Sequence, residues 1–159
     1  MSITKIILIV VLVGVIAFVG FLVYVLMPTI KNVSHHKALK KFINQPLTLK
    51  RKTSIYFCTP GGYRFKEYVL SEDVPNNSEK KYEIPVGSVI DVQEFKTYKS
   101  NMGSGFTELF ALGEWAEGGG VKINYEYSWE LYDGSLEKVL LPLSVWQDST
   151  EAAVLLEKE

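Results

Sequence analysis

Residues Ile6 to Met27 carry no charge, no amide and no proline, and this unbroken apolar run limits what the chain can become more than any other feature. A helix rises roughly 1.5 Å per residue, so the run spans about 33 Å, enough to cross a hydrocarbon core of roughly 30 Å and longer than the roughly 7–15 apolar residues of a secretory signal. Val25, Leu26, Met27 and Pro28 stand where a cleavage site would need small residues, and no cysteine is there to carry a lipid. The sequence therefore predicts a retained transmembrane anchor over residues 1–28.

Charge divides the rest. Ten of the 17 basic residues and none of the 18 acidic ones precede Glu67, which leaves residues 1–66 at +10; the other seven cations against all the acids leave 67–159 at −11. Lys31, Lys37, Lys40 and Lys41 suit an anionic bilayer surface, so membrane lipid is the expected partner of residues 1–46. The acidic distal part would repel phosphate, which argues against a nucleic acid partner. On sidedness the residues pull two ways. The positive-inside rule favours a cytoplasmic domain, whereas a short tail before a long apolar run has the form of an uncleaved export signal; the second reading, with the domain outside the cytoplasm, is taken here.

Residues 29–46, with Val33, Leu39, Phe42 and Ile43 among cations, read as a basic juxtamembrane amphipathic helix or linker ending at Pro46. Beyond Pro46 the apolar period becomes two. Segments 47–57, 63–70, 88–98, 105–116 and 121–129 are rich in β-branched and aromatic residues, and they are bounded by Pro60-Gly-Gly62, Val74-Pro-Asn-Asn-Ser78, the glycines near 103–105 and Gly118-Gly-Gly120. Five such strands need to curl to hide one apolar face and two edges, which predicts a mainly β domain over 47–159, a small antiparallel, partly open barrel. Val139 to Trp146 reads as a further edge strand broken at Pro142, and Asp148-Ser-Thr-Glu151 resembles a capping box opening a short C-terminal helix.

Tyr125, Tyr127 and Trp129 alternate with Asn124, Glu126, Ser128 and Glu130, so one face of that strand is aromatic and the other polar. The plainer reading fills the barrel with the rings. The sharper one lets some line an acid-rimmed groove for a cationic or proline-rich peptide, with Glu108, Tyr125, Glu126, Trp129 and Glu130 as candidate partner-binding residues. Leu47-Thr-Leu49 as an opening strand, Tyr82-Glu-Ile-Pro-Val-Gly-Ser-Val-Ile90 as a step into a central strand, and the Tyr125 to Trp129 strand together resemble the bacterial SH3-like family of small β-barrels. That resemblance implies binding rather than catalysis.

Other chemistries find little support. His35 and His36 point about 100° apart on a helix, and no third histidine exists, so a solvated pair is expected rather than a metal site. Cys58 is alone and is expected to be a small buried apolar residue. The glycine-rich turns lack the lysine and context of a phosphate loop, and Glu108 with Glu126 reads as an acidic face before it reads as a catalytic dyad. No cofactor is expected. The sequence thus points to a single-pass, membrane-anchored, non-catalytic module binding a peptide, cell-wall or protein partner; an anchored immunity or inhibitor protein and a small envelope hydrolase are the alternatives.

Overall fold

In the computed structural model residues 2–101, 105–117 and 120–157 are described. Helix α1, Ile3–Leu26, buries none of its residues and is long and apolar enough to cross a membrane. After Met27 and Pro28 the chain enters a β domain almost at once: β1 is Thr29–Asn32, α2 is the single turn Lys37–Lys40, and β2 is Pro46–Thr48. The strands β3 Thr53–Cys58, β4 Tyr68–Ser71, β5 Ser78–Ile84, β6 Val89–Lys99, β7 Phe106–Ala116 and β8 Lys122–Asp133 follow, then β9 Lys138–Leu141 and β10 Val154–Glu157.

The main sheet runs β1-β6-β7-β8-β4-β3-β5, with β2 also on β6, and β9 and β10 form a separate antiparallel pair. All main-sheet pairs are antiparallel except β4 beside β8, where Val69 opposes Glu126 in parallel, so the sheet is mixed. Five strand spacings separate β5 from β6 along that path, about 24 Å at roughly 4.8 Å each. The five peptide steps from Ile84 to Val89 span only about 17 Å when fully extended. The sheet must therefore curl until its two ends approach, although among the described residues no strand pair closes it. Gly87 (φ +92°) makes the turn between them, its amide bonded to Leu49 O at 2.9 Å.

The concave side holds the core, where Ile55, Ile84, Ile90, Phe95, Leu109 and Tyr125 are almost wholly buried; each large apolar side chain so placed contributes about 1.5–3 kcal/mol. One end of the curl is filled by aromatic rings. Trp146 meets Trp129 at 5.3 Å, Tyr127 at 5.2 Å and Phe42 at 6.0 Å between centroids, and Trp129 Nε1 donates to Pro142 O at 2.8 Å. Trp129 is the extra residue of a bulge between Leu109 and Phe110.

Two expectations are corrected here, and one strand is additional to those expected. Residues 29–46 form a strand, one helical turn and a second strand edge rather than an amphipathic helix. Backbone pairing decides this: β1 covers β6 from Lys96 to Lys99, Ile43 bridges Val92 and β2 covers Val89 to Asp91, while Leu39 and Phe42 are buried in the core. The C-terminal helix is instead a turn followed by β10, because pairing with β9 buries Val154 and Leu156 and leaves Leu155 outside, a period of two. The additional strand is β5, whose exposed residues Glu79, Lys80, Lys81 and Glu83 interrupt any apolar period of two. The hairpin turns expected at Gly103-Ser-Gly105 and Gly118-Gly-Gly120 include residues 103–104 and 118–119, which lie outside the described residues.

Candidate functional site

The aromatic strand places its rings inward. Tyr125 is 0% exposed and donates its hydroxyl hydrogen to Asp91 O at 3.1 Å; Trp129 is 4% exposed. Neither offers surface to a partner, which corrects the groove reading for both. Burial, then the charge of Asp91, pushes the Tyr125 phenol up, and burial leads the shift of Tyr127 to about 12.

The opposite face is less solvated than an acidic rim would be. The β3–β4 loop crosses it, seating Phe65 edge-on against Phe110 at 5.3 Å and holding the Arg64 guanidinium 5.0 Å from the Tyr98 ring. Glu126, 2% exposed, accepts from the backbone amides of Phe65 at 2.6 Å, Lys66 at 2.8 Å and Arg64 at 3.0 Å. Arg64 Nε also donates to Glu108 at 3.2 Å, so Arg64 joins the two glutamates that the sequence suggested as neighbours. Glu126 is thus the anchor of a loop. Desolvation raises its carboxyl above the usual range, and the three amides pull the other way. Its charge, after burial, helps raise the nearby thiol of Cys58, which is buried as expected. Glu130, half-buried past the bulge, is not brought together with the Arg64 pair.

A concave site lies elsewhere, at the end of the curl beside the C-terminal end of α1. It is a groove of about 570 Å³, inside the usual range of roughly 300–1,000 Å³ for small-molecule sites. Strand register builds it. Thr29 opposes Lys99, Lys99 opposes Thr107, and Thr107 opposes Tyr132, a rung of four residues across β1, β6, β7 and β8; one step inward Lys31 opposes Thr97. These side chains continue the inward face that begins with Phe95, so the core lining becomes polar and then cationic toward this mouth. Val33, Tyr132, Val139 and Leu156 give the groove an apolar wall, and Leu136 stands at its rim, half exposed. Gly134 closes tightly: a Cβ there would sit 2.4 Å from Thr107 Oγ1.

No family model, curated protein or solved structure matches the chain. The chemistry of the groove therefore rests on its own residues. His36, expected to be solvated, is buried: Nδ1 accepts from the Ala38 amide at 3.2 Å and Nε2 lies 2.9 Å from Glu157 O, an arrangement that fits the Nε2-protonated tautomer. It caps α2 and holds β10, with His35 lining the groove beside it. Glu157 is turned to Lys138 at 2.8 Å, which chiefly holds its carboxyl below the usual range. Asp133 is held low first by the amide and hydroxyl of Ser135, and more weakly by Lys99. Among the described residues no cluster of three or more His, Cys, Asp or Glu is placed to hold a metal. What the lining offers is mainly two ammonium groups and threonine hydroxyls; the Asn32 side-chain amide donates to Glu94 at 3.3 Å and that of Asn101 to Met27 O.

Proposed function

We propose that the chain is a single-pass membrane-anchored binding module without catalytic activity, and that its ligand occupies the groove at the anchor end of the β domain. The observation that carries this is position. Thr29 and Lys31, which line the groove, stand three and five residues after the last helical residue Leu26, and Asn101, also in the lining, accepts from the Thr29 hydroxyl and donates its side-chain amide to Met27 O. The domain is thus fastened to the end of its anchor at the same point where it opens. A donor-rich lining with an apolar wall suits recognition of an anionic or amphipathic ligand.

The test is gentle detergent extraction of the full-length chain with identification of what co-purifies, beside a variant in which Thr29→Trp and Leu136→Trp fill the mouth from two exposed positions. The intact protein is expected to resist alkaline extraction from membranes and to carry a ligand that the filled variant lacks. Release from the membrane at alkaline pH, or equal ligand on both proteins, would overturn the reading.

A further inference from the structure

Resting on that reading, we infer that the groove takes the phosphate headgroup of an anionic phospholipid drawn from the leaflet in which α1 ends. Three observations converge. The first is reach. Only Met27 and Pro28 separate the apolar helix from β1, a span of about 10 Å at most, so a helix that crosses a bilayer sets the groove mouth among the headgroups of that leaflet.

The second is charge. Lys31 and Lys99 sit on adjacent strands one rung apart, since Thr29 opposes Lys99 and Lys31 opposes Thr97. Such diagonal neighbours lie about 7–8 Å apart, a separation that lets two ammonium groups flank one phosphate. Nearby acids are taken mainly by other groups: Glu157 pairs with Lys138 at 2.8 Å and Glu108 with Arg64 at 3.2 Å, while Asp133 is held first by Ser135 and only more weakly by Lys99. Thr97, opposite Lys31 on β6, and Thr107, opposite Lys99 on β7, both line the groove, and their hydroxyls give a phosphate oxygen hydrogen-bond donors.

The third is the apolar fringe. Ile30, Phe106 and Leu136 surround this end of the domain with 50%, 45% and 50% of their surfaces exposed, and Tyr132, Val139 and Leu156 form the inner wall. A soluble phosphate has no use for such a wall, whereas the glycerol and first methylenes of a lipid would cover it. Apolar surface next to cations at the bilayer boundary is the pattern by which interfacial proteins hold anionic lipid.

The experiment uses full-length protein in neutral detergent, titrated with short-chain phosphatidylglycerol, short-chain phosphatidylcholine or inorganic phosphate, and read by the amide resonances of Thr97, Thr107 and Gly134. Phosphatidylglycerol is expected to shift them saturably, with the other two far weaker. Lys31→Gln with Lys99→Gln is expected to weaken that binding by about tenfold or more, while Lys37→Gln with Lys40→Gln, the same charge change on α2 outside the groove, leaves it within about twofold. Equal loss in both double variants would reduce the effect to surface charge, and inorganic phosphate binding as tightly as the lipid would make the ligand a soluble anion; either result overturns the assignment. Should the extracted protein carry a protein partner that the Lys31/Lys99 variant retains and the Thr29/Leu136 variant loses, the binding module stands and the lipid assignment falls.

Discussion

Glu126 on β8 holds Phe65 in the β3–β4 loop by its main chain: one carboxylate oxygen accepts the Phe65 amide at 2.6 Å, and the Lys66 and Arg64 amides complete the set. A single side chain thereby converts nine residues of loop into a cover for the outer face of β6, β7 and β8, where Phe65 packs on Phe110.

Removing that carboxylate is expected to be costly. Glu126→Ala leaves three amide donors without their acceptor, and buried hydrogen bonds to a charged group contribute about 1.5–3 kcal/mol each before relaxation. We expect a loss of about 3 kcal/mol in urea unfolding of residues 29–159, against about 0.5 kcal/mol or less for Asn124→Ala, an exposed change on the same strand. Equal midpoints for the two variants would mean that the loop does not depend on Glu126.

The same residue gives the domain a pH signature. Its folded-state carboxyl lies above the ordinary 4.5 because burial outweighs the amides. The native state therefore binds the extra proton first, and this contribution is fully present below about 4.5 and lost as pH rises through the raised value. Compared with Glu126→Gln, the natural protein should gain relative stability as pH is lowered from neutral toward 4.5. Glu83, drawn down to about 2 chiefly by Lys52 and Lys80, acts below that window and is common to both proteins. A difference that stays flat with pH would show that Glu126 is solvated.

The final strand can be tested by register. Leu156 is 8% exposed and Leu155 is 44% exposed, so Leu156→Ala should cost about 2–3 kcal/mol and Leu155→Ala about 0.5 or less. A terminal helix carrying both leucines on its apolar side would make the two losses similar. Thermal unfolding of the two variants separates the cases.

Gly113 sits where two strands approach too closely for a side chain. A Cβ there would lie 1.9 Å from Asp91 O and 2.8 Å from Tyr125 Oη, so Gly113→Ala must push β6 from β7 or break the Tyr125 to Asp91 hydrogen bond. We expect a loss of about 3 kcal/mol or more, seen as poor soluble yield of the β domain. Unchanged stability would mean that the close approach of β6 to β7 is wrong.

By itself the sequence determined the apolar helix, the mainly β character and the inward face of β8. Each of these rests on a local pattern: a run of apolar residues, a period of two, glycine and proline at the boundaries. Tertiary structure decided the rest. Glu126 reads as a solvated acid because its alternation with Tyr125 and Tyr127 fixes only which face it occupies, and whether that face meets water depended on a loop 60 residues earlier. The terminal leucines at 155 and 156 fit a helix or a strand until β9 supplied hydrogen-bond partners, and short apolar segments take the structure whose backbone groups find partners. Lys31 and Lys99 were each visible as cations, and the inward series Phe95, Thr97, Lys99 already turns polar along β6, yet only the pairing of β1 with β6 puts both lysines at one mouth. That pairing joins residues about 70 positions apart in sequence, a long-range contact no local window contains, and it places the candidate site at the end of the domain next to α1 rather than on the aromatic strand.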